Sequence, residues 1–416
     1  MSSPDGTAPE PLLYLVHRLP YPPNKGDKIR SYHILRHLAR RYRVHLGTFV
    51  DSDEDERHVA RLQEACASVC AVRLHPRSAR LRSLTGLLRG EALTAPYYRS
   101  AQLARWVDAT LREHPIRKAV LFSSPMAQYV AGRPGLRVVA DYCDADSAKW
   151  TDYATQHRWP MSWIYRREGR RLLDFERAHA LRNHATVFAT EAEKALFARL
   201  APACAPRLHA IENGVDRDYF SPRDDRPSPY APGEETLVFT GAMDYWPNID
   251  AVTWFAREVL PRLRGTHPRL RFTIVGMNPD PAVQALAADP AITVTGKVPD
   301  VRPYVQHARA VVAPLRIARG IQNKIIEAMA MGRPVVVLEA AAHGLRAEAG
   351  RDYLRVAEDP AAFAQALAEL LERGTGEEIG RNARAAVAAA YDWDRNLAAL
   401  DALIDGDPSP TYCPPA

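Results

Sequence analysis

The stretch Arg319-Gly-Ile-Gln-Asn-Lys-Ile-Ile-Glu-Ala-Met-Ala-Met-Gly-Arg-Pro-Val-Val-Val-Leu338 carries the pattern that decides the fold. The apolar run at residues 310–315 predicts a short buried strand before it. Residues 323–331 predict a helix that Gly332 stops, and residues 334–338 predict the next strand. A strand, a glycine turn, a helix and a second strand form a parallel crossover unit. Such units bind ligands at the carboxyl ends of their strands.

The turn ahead of this predicted helix suits an anionic ligand. Gly320 lets the backbone come close to a ligand, and Arg319 and Lys324 bring positive charge to the same place. The free N–H groups at a helix N-terminus attract anions as well. Glu327 lies one helical turn after Lys324, within reach of a sugar hydroxyl. Phosphate binding followed by hydroxyl binding indicates a nucleotide-sugar.

Length and composition set the broad class of protein. The 416 residues are too many for one ordinary core, so two domains are expected. A hydrophobic content of 47% and a charged content of 25% are typical of a soluble globular protein. The net charge of +6 is compatible with nucleotides, anionic lipid or nucleic acid as partners, and charge alone does not choose among them.

Cysteine usage and hydropathy predict a cytoplasmic protein. The five cysteines form no pair of C-x-x-C clusters, so neither a disulfide framework nor a zinc site is indicated. Residues 1–10 are polar and acidic, unlike a secretory signal. No apolar run approaches the about 20 residues that span a bilayer.

Two segments have the composition of a membrane-surface binder. Residues 75–90 place leucines at helical spacing with arginines between them, which predicts a basic amphipathic helix. Such a helix either lies on an anionic membrane or is an ordinary surface helix. Residues 159–171 add tryptophans and arginines, which favour interfaces. Peripheral association with the inner membrane is therefore one of two expectations.

The N-terminal part begins with a strand, a proline-rich loop and a helix. Residues 12–16 predict the strand, and Gly26 marks the start of a helix over residues 27–41. The apolar face of this helix is predicted to consist of Ile29, Tyr32, Leu35 and Leu38. The loop before it is either a structural turn or an anion-binding loop, and it lacks the G-K-[ST] of a Walker A motif.

A cluster of acids follows a later strand. Residues 137–141 predict that strand, which runs directly into Asp141, Asp144 and Asp146. Acids at the carboxyl end of a parallel strand occupy the usual place for chemistry. The D-x-D pair is either a cation site or part of a helix start capped by Asp146 or Ser147.

Strands and helices alternate again after residue 235. Residues 224–235 are rich in proline and aspartate and predict a linker. A strand at 236–240 follows, then Gly241 and a helix over residues 249–264. This alternation on both sides of the linker predicts two doubly wound domains.

Several of these strings resemble the GT4 retaining glycosyltransferases, which have the two-domain GT-B fold. Lys324, Glu327 and the strings at 328–330 and 332–335 match the donor-site signature of that family. Residues 213–222 resemble the signature at its domain junction.

The sequence departs from the family pattern at three positions. Arg319 stands where the first glutamate of the signature is expected. Met243 and Asn248 stand roughly where relatives carry an arginine and a lysine that hold the donor diphosphate. We expect Arg319 to replace one of these lost cations.

The resemblance implies an α/β protein with the GT-B architecture. Two doubly wound Rossmann-like domains would face each other across a cleft, and the C-terminal helix would cross back to the N-terminal domain. The expected segments are a disordered N-terminus at 1–10, an acceptor domain at 11–215, a linker at 216–235, a nucleotide-sugar domain at 236–390, a crossover helix at 391–406 and a disordered tail at 407–416.

The resemblance also implies the site residues and the partners. Catalytic roles would fall to Lys324, Arg319 and Asp144. The donor would contact Gly26, Gly241, Asn248, Val298, Gly320, Lys324 and Glu327. The acceptor would contact Lys25, Asp27, Arg30, Asp141 and Lys149. A nucleoside-diphosphate sugar is expected as donor and a glycan or lipid-linked molecule as acceptor, with no metal, no other cofactor and no nucleic acid.

The N-terminal motifs narrow the resemblance further. The strings at 22–31 and 141–150 look like the bacterial branch associated with exosortase-type exopolysaccharide loci. Two alternatives stay open on the same fold. One is a nucleotide-sugar 2-epimerase, and the other is a non-catalytic glycan- or nucleotide-binding relative, which the three departures favour.

Overall fold

The computed structural model describes residues 9–318 and 320–406, and the chain divides into two compact units. The first unit runs to Glu212 and includes the segment from Asp394, whereas the second unit spans Asn213–Trp393. The predicted disordered tail at 407–416 and most of the predicted disordered N-terminus lie outside the described residues.

The first unit is built on a parallel sheet of seven strands in the order β3-β2-β1-β4-β5-β6-β7. The strands are nearly continuous apolar runs, as expected where helices cover both faces of a sheet. Their bounds are β1 Pro11–Val16, β2 Arg43–Val50, β3 Ser68–Arg73, β4 Lys118–Phe122, β5 Arg137–Cys143, β6 Ala185–Phe188 and β7 Leu208–Ala210. The strands up to β3 are added on one side of β1, and the strands from β4 onward are added on its other side, so the strand order reverses between β1 and β4.

Helices of varied length connect these strands. They are α1 Gly26–Ala39, α2 Asp53–Glu56, α3 Val59–Ala65, α4 Pro76–Ser83, α5 Thr85–Arg89, α6 Thr94–Tyr97, α7 Ala101–Glu113, α8 Asp146–Gln156, α9 Met161–Ala180 and α10 Glu191–Leu200. Short 3-10 turns follow β4 at Ser124–Tyr129 and precede β7 at Pro202–Arg207.

The second unit repeats the arrangement with six parallel strands in the order β10-β9-β8-β11-β12-β13. The bounds are β8 Glu235–Thr240, β9 Leu270–Val275, β10 Ile292–Gly296, β11 Ala310–Ala313, β12 Val335–Leu338 and β13 Leu354–Val356. This is the doubly wound order of a Rossmann fold, with its reversal between β8 and β11.

The helices of the second unit end with one that returns to the first. They are α11 Trp246–Trp254, which continues through a π-helical turn at Phe255–Val259 into α12 Leu260–Arg264, then α13 Pro281–Gln284, α14 Arg302–His307, α15 Asn323–Ala330, α16 Glu339–Ala342, α17 Pro360–Arg373, α18 Gly376–Ala390 and α19 Trp393–Asp405. From Asp394 onward, α19 belongs to the first unit. There Asp405 accepts hydrogen bonds from Tyr42 and Lys118, both at 2.8 Å.

The periodicity of the α11–α12 segment is confirmed. In the predicted helix over residues 249–264, the apolar residues at helical spacing are Val252, Phe255, Val259 and Leu263, and all four are buried in the core of the second unit. A helix with an apolar stripe packs that stripe against its sheet.

The predicted apolar face of α1 is partly wrong. Ile29 and Tyr32 are only half-buried, whereas Lys28 and Arg30 are buried. The reason is that each buried cation faces a carboxylate, so an ion pair offsets the cost of its desolvation. Lys28 Nζ lies 2.7 Å from Asp55 Oδ1. The structure also contains β13 and α16, which the sequence patterns did not predict.

Candidate functional site

Three of the predicted donor residues, Gly241, Asn248 and Lys324, gather where the second sheet reverses, whereas Gly26 lies in the first unit and Val298 follows the edge strand β10. β8 ends at Thr240 and β11 at Ala313, and these neighbouring strands lie on either side of the reversal. In doubly wound sheets this is the point where helix connections diverge and leave room for a ligand. Gly241 follows β8 directly, and Lys324 lies in the first turn of α15 after β11.

Gly241 is required by close approach. A Cβ there would lie 2.8 Å from Asn248 Nδ2 and 3.0 Å from Lys324 Nζ. Gly276, after β9, packs against the same turn, because its Cβ would lie only 1.6 Å from Gly241 O. The two glycines bring the ends of β8 and β9 together and leave space over Gly241 that the lysine fills.

Lys324 is held by neutral partners. Its Nζ donates a hydrogen bond to Asn248 Oδ1 at 2.6 Å and lies 4.0 Å from the centroid of the Phe239 ring. Asn248 Nδ2 in turn donates to Ala242 O at 2.8 Å, so the orientation of the amide is fixed. The ammonium therefore stands beside Gly241 with its direction determined by Asn248.

The electrostatics of this site favour an added negative charge. Burial lowers the pKa of Lys324 to about 7, although the Glu327 carboxylate opposes that shift. Burial likewise raises the pKa of Glu327 to about 7, against the influence of Lys324. A cation that burial has removed from water is stabilised when an anion enters its site.

The turn before α15 has the predicted geometry. Gly320 has φ +62°, the left-handed conformation that glycine adopts without strain. Asn323 opens the helix, and its Oδ1 accepts a hydrogen bond from Asn213 at 3.3 Å. Arg319 lies outside the described residues, so its predicted role stays a prediction. Val298 is half-buried after β10, against the core of the second unit.

The predicted acceptor residues Arg30 and Asp141 form a buried ion pair with each other. Arg30 Nε donates to Asp141 Oδ2 at 2.8 Å, and both residues are at most 1% exposed. Asp141 Oδ1 accepts from the backbone N–H of Cys143 at 2.8 Å. The pair joins α1 to the end of β5, which makes it suited to positioning that edge of the first sheet.

The D-x-D acids both face Lys149. Its Nζ lies 2.7 Å from Asp144 Oδ2 and 3.1 Å from Asp146 Oδ1. Although burial opposes it, the carboxylates of Asp146 and Asp144 raise the pKa of Lys149 well above its ordinary value. Asp146 begins α8 and makes no side-chain cap, so the predicted capping role is wrong. Across residues 9–318 and 320–406, no group of three or more His, Cys, Asp or Glu side chains could hold a metal ion.

Lys25 and Gly26 lie exposed at the start of α1, and Asp27 lies in its first turn. Asp27 Oδ2 is 2.9 Å from Arg18 Nη1 and 3.5 Å from His17 Nε2. Although burial opposes it, contacts with His17 and with the Arg18 guanidinium hold the pKa of Asp27 well below its ordinary value. This arrangement brings Asp27 to the end of β1, beside the reversal of the first sheet.

The comparisons with known proteins agree with this architecture. Residues 234–373 match the family described as "Glycosyl transferases group 1". Sucrose-phosphate synthase from Thermosynechococcus elongatus aligns with TM-score 0.69 and 16% identity over 95% of this chain and 98% of its own. HepE from Anabaena, in complex with UDP and glucose, aligns with TM-score 0.66 and 14% identity over 95% and 99%. WaaG, a glycosyltransferase involved in lipopolysaccharide biosynthesis, aligns with TM-score 0.66 and 17% identity over 95% and 100%.

The fold is GT-B. A search of curated proteins gave no match. The two doubly wound domains predicted from the strand and helix pattern are confirmed, and the solved structures confirm the GT-B fold that the family resemblance implied. The family match covers all six strands of the second sheet of this GT-B chain and includes Gly241, Asn248, Lys324 and Glu327.

Sequence reasoning missed His17 in the first GT-B domain. His17 follows β1 directly, its ring stacks on Phe122, and it meets Tyr98 edge-on. Its Nδ1 is buried without a hydrogen-bond partner among the described residues, while Nε2 faces Asp27. A histidine oriented by a carboxylate can hold or accept a proton at its other nitrogen. Its position right after the first strand, at a sheet reversal, was the signal that could have found it.

The same edge of this GT-B domain carries two strained residues. Ser123, after β4, has φ +76°, and Cys143, at the end of β5, has φ +65°. Such conformations cost about 1–3 kcal/mol each for residues with a side chain and cluster at functional sites. The strain therefore marks the carboxyl edge of the first sheet as a second candidate site.

Proposed function

We propose that the protein is a retaining GT4-type glycosyltransferase. It would transfer a sugar from a nucleoside-diphosphate sugar to a glycan or lipid-linked acceptor in the synthesis of exopolysaccharide or another cell-surface glycan. Support comes from the family match over residues 234–373 and from the arrangement around Lys324.

The observation that carries the proposal is the lysine at the reversal of the second sheet. Lys324 Nζ is fixed by Asn248 beside Gly241, in a pocket whose burial weakens its hold on its own proton. A diphosphate placed there would restore the charge of the lysine. The same contact would stabilise the negative charge that develops on the leaving diphosphate.

The reaction needs little further machinery from the chain. The bond between the anomeric carbon and the diphosphate oxygen breaks, and its electron pair leaves with the diphosphate. The acceptor oxygen forms the new bond to that carbon, and its proton passes to a phosphate oxygen of the leaving group. Glu327 would bind the ribose, and the Gly320 turn would contact the phosphates.

The nucleotide is proposed to be UDP. HepE from Anabaena, which shares the fold, has been crystallised with UDP-glucose. For the acceptor we propose contacts from Lys25, Asp27, Asp144 and Lys149, whose charged groups are partly exposed in the first unit. No metal is proposed, because both D-x-D carboxylates are already engaged by Lys149.

A non-catalytic nucleotide-sugar binder is the second candidate, and Met243 favours it. Relatives are expected to place a cation near this position, whereas Met243 is fully buried and its Cε lies 3.3 Å from a Cβ built on Gly276. Fewer cations would weaken stabilisation of the leaving group more than binding of the ground state.

A screen of UDP-, GDP- and ADP-sugars separates the two candidates. Binding is measured by calorimetry, and release of the nucleoside diphosphate by chromatography. A glycosyltransferase slowly hydrolyses its donor without acceptor, whereas a pure binder shows affinity without release. Lys324→Ala should lower release about 100-fold or more, as loss of one oxyanion contact does. The surface variant Lys194→Ala is the matched control and should behave like the wild type. Absence of binding to every donor would refute both candidates.

A further inference from the structure

A basic apolar face lies on the first unit, made of residues 76–90 and 158–171. Of the thirteen large apolar side chains that are exposed among the described residues, seven fall in these two segments. They are Leu81, Leu84, Leu87, Leu88, Trp159, Met161 and Trp163. Leu88 is 91% exposed and Trp159 is 81% exposed, so both project almost wholly into solvent.

The two segments are joined into one surface by specific contacts. Arg167 of α9 donates to Gly86 O at 2.8 Å and to Glu91 O at 3.1 Å, which fixes α9 against the end of α5. The neighbouring Glu168 accepts from the backbone N–H groups of Leu93 and Thr94, at 2.6 and 3.0 Å. Trp163 lies one turn before Arg167 on the same side of α9, and therefore beside α5.

The charge of the basic apolar face is one-sided. The two segments contain nine arginines and a single acid, Glu168. Glu168 is buried, and its carboxylate is used by the turn at Leu93. Arg82 and Arg167 bind backbone carbonyls, whereas the other arginines are exposed around the leucines and tryptophans: Arg77, Arg80, Arg89, Arg158, Arg166, Arg170 and Arg171.

We propose that the basic apolar face docks the protein on an anionic lipid bilayer. Tryptophans prefer the level of the lipid headgroups, and exposed leucines gain by entering the acyl boundary. Arginine side chains lay their stems on the apolar layer and keep their guanidinium groups at the lipid phosphates. A protein partner would instead favour an interface core depleted in charge.

The basic apolar face would also place a lipid-linked acceptor near the first unit, a consequence that rests on the proposed transfer reaction. α8 runs from the Asp144–Lys149 cluster to the tip of the α8–α9 hairpin, where Trp159 is exposed. Its 11 residues cover about 16 Å. A lipid-linked acceptor whose tail lies in the bilayer would therefore have its glycan within reach of that cluster. Among the described helices, each is too short or too polar to cross the bilayer.

Flotation with vesicles tests the surface directly. The full chain is mixed with vesicles of neutral phosphatidylcholine, or with vesicles of phosphatidylcholine that contain about 30% anionic phosphatidylglycerol. We expect binding to the anionic vesicles only, because each arginine near an anionic surface strengthens binding about fivefold. Raising the salt to about 1 M should weaken binding strongly, since the Debye length falls to about 3 Å.

Matched variants locate the contact. The triple variant Leu88→Ser, Trp159→Ser, Trp163→Ser should lower the partition coefficient about tenfold or more. The control triple variant Leu181→Ser, Leu200→Ser, Trp246→Ser removes apolar side chains that are also exposed, Trp246 at 54% against 52% for Trp163. It should bind within about twofold of the wild type. Circular dichroism and thermal unfolding confirm that both variants fold.

Three outcomes would overturn the proposal. The membrane contact is refuted if the wild-type protein does not bind anionic vesicles. It is also refuted if the triple variant at Leu88, Trp159 and Trp163 binds like the wild type. If the wild-type protein is a dimer and the triple variant is a monomer, the basic apolar face binds a second copy of the chain instead. Donor hydrolysis in solution needs no vesicle, so these failures are distinguishable from failure of the proposed activity.

Discussion

The Gly241→Ala substitution isolates one contact of the donor pocket. The added Cβ would lie 2.8 Å from Asn248 Nδ2 and 3.0 Å from Lys324 Nζ, closer than carbon and nitrogen normally pack. Both neighbours are the ends of flexible side chains, so they can move by about 0.5 Å rather than distort the backbone. That movement would break the 2.6 Å hydrogen bond that orients the ammonium.

The expected loss falls on both binding and stability. A hydrogen bond to a charged group contributes about 1.5–3 kcal/mol, which corresponds to a roughly 10- to 150-fold loss in affinity for a UDP-sugar if all of it is lost. Gly241 has φ +157°, a backbone conformation that residues with a side chain rarely adopt, so alanine is strained there by about 1–3 kcal/mol. We therefore expect the free energy of unfolding to fall by about 1–3 kcal/mol.

Calorimetry with the UDP-sugar and thermal unfolding measure the two effects separately. Gly265→Ala is a matched control, because its Cβ would lie an ordinary 3.6 Å from Arg262 O. Gly276→Ala is the opposite control, because its Cβ would collide with the backbone at Gly241 O and should destabilise the fold. If Gly241→Ala binds the donor within twofold of the wild type, the orientation of Lys324 does not matter and the reasoning fails.

Three further predictions follow from the two sheet edges. Affinity for a UDP-sugar should fall about tenfold or more from pH 7 to pH 9, because Lys324, with a pKa of about 7, loses its proton over that range while Glu327, also with a pKa of about 7, gains a negative charge. Lys324→Arg should reduce this dependence, because the guanidinium stays charged, and a flat profile in the wild type contradicts the prediction. Arg30→Met should lower the unfolding free energy by about 3–5 kcal/mol, because it leaves Asp141 buried without its partner. In urea unfolding, the double variant Arg30→Met, Asp141→Leu should recover much of that free energy. If the single and the double variant lose the same unfolding free energy, the two residues do not act as a pair. His17→Ala should weaken acceptor binding about tenfold or more with donor affinity unchanged, because His17 helps to hold the Asp27 carboxylate at the acceptor edge, whereas loss of donor binding would assign His17 to a different role.

Local sequence patterns were sufficient to predict the strands and helices, but not to predict which charged side chains form ion pairs. The strand over residues 335–338 and the helix that Gly332 stops follow from apolar runs and one glycine, so they were predictable. Arg30 and Asp141 are 111 positions apart in the chain, and only the sheet order brings α1 to the end of β5. A single sequence therefore shows two polar residues in two segments, but not that they neutralise each other.

The string Thr190-Glu-Ala-Glu193 has the pattern of a helix capping box, and it shows the same limit at short range. Thr190 Oγ1 accepts from Glu193 N at 3.1 Å, as the pattern predicts. Glu193 does not close the box locally, because its carboxylate accepts from Ala145 N at 2.8 Å, across the sheet edge. The Glu193 carboxylate therefore bonds a backbone group that is distant in the sequence rather than the start of its own helix, because the buried N–H group of Ala145 needs an acceptor.

The cations at the carboxyl edges of the two sheets have different partners, and this difference favours a different kind of ligand at each edge. In the first unit, Arg18, Arg30 and Lys149 each face carboxylates, so an incoming anion would have to displace an acid already in place. In the second unit, Lys324 is hydrogen-bonded to a neutral amide, and its pKa is lowered by burial. An anion therefore gains more at the second edge, where the family match also lies. Hydroxyl groups, which both donate and accept hydrogen bonds, suit the paired charges of the first edge. These charges therefore support the proposal that the diphosphate donor binds the second unit and the hydroxyl-bearing acceptor binds the first. The assignment would be refuted if Lys324→Ala weakened acceptor binding and Lys149→Ala weakened donor binding.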